Sequence, residues 1–132
     1  MKLLIRNWLA RKTYLAIAIS YTIFMLIVSL IPSNDFPTVK IPYTDKFVHI
    51  MLNFVLVLFW LFALSKNHLN RYRLINKWLV FAACIVFGMF IEVLQELFTQ
   101  TRQADIYDVS ANLVGSLLGM AVFFALPKHS NK

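Results

Sequence analysis

The chain has 132 residues, of which 60% are hydrophobic, 15% aromatic and only 14% charged, where a soluble domain carries about a quarter charged. There is room for one domain, and at 15.3 kDa a soluble domain has too small an interior to hide so much apolar surface. The net charge of +7 does not point to nucleic acid, because the 13 Lys and Arg lie in short segments between apolar runs and form no broad basic surface; a basic membrane protein facing anionic lipid accounts for them.

Four stretches are long and apolar enough to span a bilayer, which takes about 20 helical residues. The first, residues 13–31, is uncharged. It follows Lys2, Arg6, Arg11 and Lys12, yet its apolar run is too long for a signal peptide and no small-residue cleavage pattern precedes Pro32, so it is read as a retained helix. Pro32, Pro37 and Pro42 keep the first loop extended. The second span, residues 47–65, contains one titratable side chain, His49, with Asp45 and Lys46 just ahead of it and Asn53 one turn deeper. A basic loop, KNHLNRYRLINK, leads to the third span, residues 78–98, which is apolar until Glu92 and Glu96. Cys84 lies inside that run, so neither a disulfide framework nor a thiolate metal site is available and it reads as a packing residue. The last connection, TQTRQADIY, is short enough to make the third span and the fourth, residues 108–126, antiparallel neighbours. The predicted fold is all-α: a single integral membrane domain over residues 1–132, with four transmembrane helices and short antiparallel connections.

Counting basic residues orients it. Lys2, Arg6, Arg11, Lys12, Lys66, Arg71, Arg73, Lys77, Lys128 and Lys132 fall on one side of a four-span topology, against Lys40, Lys46 and Arg102 on the other. The positive-inside rule then puts both termini in the cytoplasm and the first and third loops outside.

In that orientation all six acidic residues (Asp35, Asp45, Glu92, Glu96, Asp105 and Asp108) lie towards the outer side. Helical spacing groups the polar ones further. His49 and Asn53 share a face of the second span, and Gly88, Glu92, Gln95 and Glu96 form a stripe of the third. Asp108, Asn112, Gly115 and Gly119 form a stripe of the fourth. Gly115 and Gly119 make a GxxxG, which lets helix backbones approach closely. The expected packing sets this stripe against the third span near Gly88, with Glu92 and Asn112 meeting at its outer end. Several residues have plainer roles open to them. Asp45 and Asp108 each precede an apolar run and fit N-caps, Lys46 fits an interface marker, Glu96 a solvated headgroup-level carboxylate, and Asp105 a loop position. Glu92 does not fit so easily, because a carboxylate about a turn and a half inside an apolar helix is costly unless paired, protonated or facing water; His49 and Arg102 are its natural partners.

The pattern resembles the VanZ-like family of small bacterial membrane proteins, from about residue 29 to residue 119. It begins with SLIPS at residues 29–33 and the DKxxH element at Asp45, Lys46 and His49. The rest is the ordered set Gly88, Glu92, Gln95, Arg102, Asp108, Asn112, Gly115 and Gly119. The family often has an aromatic residue four positions after the histidine, where this chain has Asn53. The resemblance implies a multi-pass protein of the bacterial cytoplasmic membrane with a cell-envelope role. The family's founding member is linked to low-level teicoplanin resistance, which does not transfer to this chain on resemblance alone.

Three functions follow. The first is binding or modulation of a membrane lipid or lipid-linked envelope precursor at an outward-facing cluster of Asp45, Lys46, His49, Glu92, Gln95, Arg102, Asp108 and Asn112, with Arg102 and Lys46 contacting phosphate or carboxylate. The second is an intramembrane enzyme acting on a lipid headgroup, with His49 and Glu92 as acid and base and Arg102 stabilising negative charge. No nucleophilic Ser or Cys is placed securely beside His49, which ranks it lower. The third is a structural partner protein without a ligand. Mg²⁺ or Mn²⁺ is chemically admissible, with His49 and carboxylates as donors, although no metal is expected. Transport ranks last, since four spans contain no inverted repeat to alternate.

Overall fold

Hydrocarbon supplies no water to bond a backbone, so an apolar run in a membrane satisfies its N–H and C=O groups internally by forming a helix. A computed structural model of the chain describes the backbone of residues 2–32, 43–65, 73–99 and 105–126, and side chains within 12–32, 43–64, 77–99 and 105–126. The four apolar runs form α1 (Lys2–Leu30), α2 (Thr44–Ser65), α3 (Arg73–Phe98) and α4 (Ile106–Ala125), and each contains a stretch long and apolar enough to cross a membrane. α1 is the longest at 29 residues, roughly 44 Å at 1.5 Å per residue, well beyond the ~30 Å of a hydrocarbon core. Its apolar window begins only at Lys12. Lys2, Arg6 and Arg11 therefore lie on a helical extension and not on an irregular tail. Likewise α3 starts at Arg73, which takes Arg73 and Lys77 out of the basic loop and into a helix.

The packing is organised by α2, which touches all three other helices and lies closest to α4. These two run in the same direction: Lys46 meets Asp108 at their beginnings and the rings of Phe62 and Phe123 meet near their ends, 5.3 Å apart. The glycine stripe of α4 therefore faces α2 and not α3 as expected. A Cβ on Gly115 would overlap the Ile50 carbonyl, and one on Gly119 would come 2.7 Å from the Phe54 carbonyl oxygen. Ile50 and Phe54 are one turn apart, so one ridge of α2 sits in the groove left by the two glycines. The spacing of small residues reveals a groove but not which neighbour fills it. Gly88 of α3 faces the amide side chains of Asn53 and Asn112.

Below the polar end the interior is apolar, built from Met25 of α1, Leu56, Val57 and Leu61 of α2, Val80, Cys84 and Ile91 of α3 and Met120 of α4. α1 is fastened to α2 by Tyr21, whose hydroxyl donates to the Leu52 carbonyl at 3.1 Å, and by the Trp60 indole N–H, which donates to Thr22 Oγ1 at 3.1 Å. The outward faces remain strongly apolar: Ile23, Phe24 and Ile27 of α1, Val86, Phe90 and Val93 of α3, and Leu117 and Leu118 of α4 are exposed. Such a surface is a liability in water and the ordinary covering of a bundle in lipid. The glycine contacts order three substitutions. Gly115→Ala strikes backbone and costs most, Gly119→Ala follows, and Gly88→Ala, which meets only side-chain atoms at 3.1–3.3 Å, costs least. Chemical unfolding in detergent micelles, followed by circular dichroism, is expected to return that order, with the largest loss in the 1–3 kcal/mol range of overpacked cores.

Candidate functional site

Because α2 and α4 are parallel neighbours, two helix N-termini lie side by side, each with the partial positive charge of its unsatisfied N–H groups. Asp45 occupies the first turn of α2 and Asp108 the first turn of α4. The cap of α4 is Asp105, with extended backbone and a side-chain oxygen accepting the Tyr107 N–H at 2.9 Å. Asp105, read from the sequence as loop, thus holds the N-cap role that the sequence offered to Asp108, and Asp45 lies inside α2, after Thr44. Lys46 would be repelled by the end of its own helix, and three carboxylates offset this. Its Nζ lies 3.0 Å from Asp108 Oδ1, 3.1 Å from Asp105 Oδ2 and 3.4 Å from Asp45 Oδ2. Lys46 is therefore a strap between α2 and α4, its ammonium held by three carboxylates.

One turn deeper is a buried polar network joining three helices. His49 Nδ1 lies 3.2 Å from Glu92 Oε1. The same oxygen accepts from Asn112 Nδ2 at 3.4 Å, and Asn112 Oδ1 accepts from Asn53 Nδ2 at 2.6 Å. Asn53 Nδ2 also donates to the His49 carbonyl at 3.2 Å, closing the circuit on α2. All four side chains are buried, Glu92 with 2% of its surface exposed and Asn53 with none. A carboxylate this deep survives only with partners, and His49 and Asn112 are two of them. The expected meeting of Glu92 and Asn112 occurs, although the glycine stripe thought to produce it faces elsewhere.

Gln95 stands apart from this circuit. Its Nε2 donates 2.8 Å to the Ser29 carbonyl in the last turn of α1. Thr99 bonds back to the Gln95 carbonyl, ending α3. Glu96 is exposed. Arg102, the expected partner of Glu92, lies outside the described residues, as do Asp35 and Lys40. Sequence reasoning left two members out of the site: Asn53, signalled by its i+4 spacing from His49, and Asp105, signalled by its place immediately before the apolar run.

The arrangement has two chemical capacities. His49 and Glu92, with Nδ1 and Oε1 3.2 Å apart, have the geometry of an acid–base pair. His49, Glu92 and Asp108 each offer one ligand atom, all within 4.8 Å of one another, so three helices bring together a donor set able to hold a metal ion.

Asp105 provides a pH signature. The hydrogen bond from Tyr107 N–H, and then Lys46, hold its carboxyl below the ordinary value. A depressed folded-state pKa contributes stability that is present above the unfolded value of about 3.9 and is lost as pH falls through the folded one. Asp105→Asn keeps a capping oxygen but removes the charge. The variant is expected to be less stable than the wild type at neutral pH and to converge with it in strong acid, as measured by unfolding in micelles across that range.

The sequence profile of the VanZ/LLP1 family matches residues 10–127. An uncharacterized protein of the fission yeast Schizosaccharomyces pombe is 27% identical over 114 residues, covering 82% of this chain and 66% of its own length, so the chain spans just under two thirds of that relative. No solved structure matches significantly. With the family match running from within α1 to just past α4, and with four membrane-capable helices, the chain is a multi-pass membrane protein that belongs to the VanZ/LLP1 family.

Proposed function

We propose that this protein binds a headgroup-bearing membrane amphiphile at the polar end of α2, α3 and α4, and that this end faces away from the cytoplasm. The observation that carries the reading is the His49–Glu92–Asn112–Asn53 network, which buries a carboxylate, an imidazole and two carboxamides inside helices otherwise apolar enough for lipid. Buried polar groups within membrane spans are costly and mark functional positions by default. Helix association alone does not require them, since packing at Gly115 and Gly119 already joins α2 to α4. The orientation rests on the basic-residue count, ten on one side against three on the other. A relative in a eukaryote favours chemistry common to membranes over a precursor confined to the bacterial envelope. A change in teicoplanin tolerance is a separate, downstream claim, read by comparing susceptibility with and without expression of the chain.

A second reading, acid–base catalysis on a headgroup, is favoured by the 3.2 Å contact of His49 Nδ1 with Glu92. One experiment separates the two. Protein purified in mild detergent is incubated with a bacterial lipid extract, and both are analysed by mass spectrometry. Stoichiometric lipid retained unchanged supports binding, and a new headgroup species supports catalysis. Retention is expected to fall at least tenfold in His49→Ala while helix content stays that of the wild type; equal retention in both would overturn the placement of the site. For orientation, a reporter active only outside the cytoplasm, fused after Lys128, is expected to be silent.

A further inference from the structure

We infer that His49, Glu92 and Asp108 form a site for one divalent cation of the Mg²⁺ or Mn²⁺ class, and that this ion holds the phosphate of the bound headgroup. The second half rests on the ligand reading above; the first does not. The three donors come from three different helices, are all buried, and have ligand atoms within 4.8 Å of one another. Ligands at 2.0–2.1 Å from an octahedral ion are about 3 Å apart when adjacent and about 4.2 Å when opposite, so the three donors close around it by drawing together. Two carboxylates and one imidazole suit Mn²⁺, which accepts both donor types, and leave coordination positions for water or phosphate.

Charge points the same way. Among the described residues at this end, Asp45, Glu92, Glu96, Asp105 and Asp108 stand against the single Lys46, whose ammonium is already committed to three of them. These carboxylates draw a divalent cation, which once bound reverses the local sign and offers a phosphate a partner. The supporting shell is in place. Asn112 donates to the Glu92 oxygen, and Lys46 holds Asp108 through Oδ1, orienting two of the three ligands as outer groups do in metal sites.

An independent observation is Asn53 Oδ1, an acceptor with no hydrogen-bond partner on a side chain with no exposed surface. It faces the notch left by Gly88, one turn below Glu92, where a Cβ would come within 3.2 Å of it. Asn53 is tied to Asn112, which bonds a ligand carboxylate. An orphaned acceptor in such a place calls for a donor, and the water that a hard cation keeps when it binds is one.

The test uses the full chain in detergent, stripped with chelator and titrated with Mn²⁺ alone, free ion being followed by electron paramagnetic resonance. One saturable Mn²⁺ per chain is expected, displaced by excess Mg²⁺. Glu92→Gln and Asp108→Asn are expected to weaken it at least tenfold, and Asn112→Ala by the 10–100-fold typical of an outer-shell partner. Glu96→Gln, at the exposed carboxylate of the same end, leaves it unchanged. Absence of saturable binding, or a loss in Glu96→Gln equal to that in Asp108→Asn, overturns the site. If Glu92→Gln fails to fold, Asp108→Asn, Asn112→Ala and Mg²⁺ competition in the wild type decide it. Phospholipid retention is then compared in chelator and in Mn²⁺. Lipid lost in chelator and kept in Mn²⁺ supports the bridge. Lipid kept equally in both overturns the bridge while leaving the ligand reading standing. Lipid absent in both defeats the ligand reading and the bridge with it, and the Mn²⁺ titration alone then judges the ion site.

Discussion

The close approach of α2 and α4 sets the position of every polar side chain at the site. Gly115 and Gly119 admit the carbonyls of Ile50 and Phe54 at distances no larger residue would permit. At that separation short side chains are long enough to bond: the Asn53–Asn112 contact is 2.6 Å, and Lys46 reaches both Asp105 and Asp108. A pair of helices held apart by leucines would leave these groups without partners in a medium that supplies none. Close packing and polar satisfaction are thus one constraint. Parallel direction is the other half of it, since only helices running the same way bring two N-termini, with their partial positive charges, to one end. That end gathers Asp45, Asp105 and Asp108.

α3 and α1 are attached to this pair differently. α3 joins through the Glu92 carboxylate above and apolar side chains such as Val80, Cys84 and Ile91 below. Gly88 brings its backbone against the two asparagines. α1 joins through Met25 in the apolar core and through single bonds to backbone or hydroxyl: Gln95 to Ser29, Tyr21 to Leu52 and Trp60 to Thr22. Among the described residues no Cα of α1 comes within 8 Å of one in α4. The buried polar cluster therefore belongs to α2, α3 and α4, with α1 as a supporting wall. This matches the resemblance read from sequence, whose chemistry-bearing motif begins only after the first span.

Asn53 illustrates how a departure from a family pattern becomes structure. The resemblance read from the sequence implies an aromatic residue, usually Tyr, four positions after His49, whose hydroxyl would sit at the far end of a bulky ring. Here an amide donates twice, to the His49 carbonyl and to Asn112, and its oxygen is left facing α3. The short amide puts its hydrogen-bonding groups at the centre of the network.

The number of helices, their approximate bounds, the membrane as solvent and the gathering of acids at one end were legible in the sequence. Hydropathy and charge act locally and leave a mark at every residue. The i+4 spacings also placed His49 with Asn53 and Asp108 with Asn112, because residues on one helix face need no knowledge of any other helix. Spacing could not say that the glycines of α4 would receive α2, that Lys46 would be enclosed by carboxylates, or that Gln95 would leave the cluster for the last turn of α1. The sequence grouped Asp108 with His49 and Glu92, but that their ligand atoms come within 4.8 Å of one another is a result of packing. Those outcomes depend on which helices are neighbours, how they are rotated and in which direction they run, and short-range pattern carries none of that. Only packing decided them, because in lipid helices choose their partners by shape and by the hydrogen bonds that shape allows.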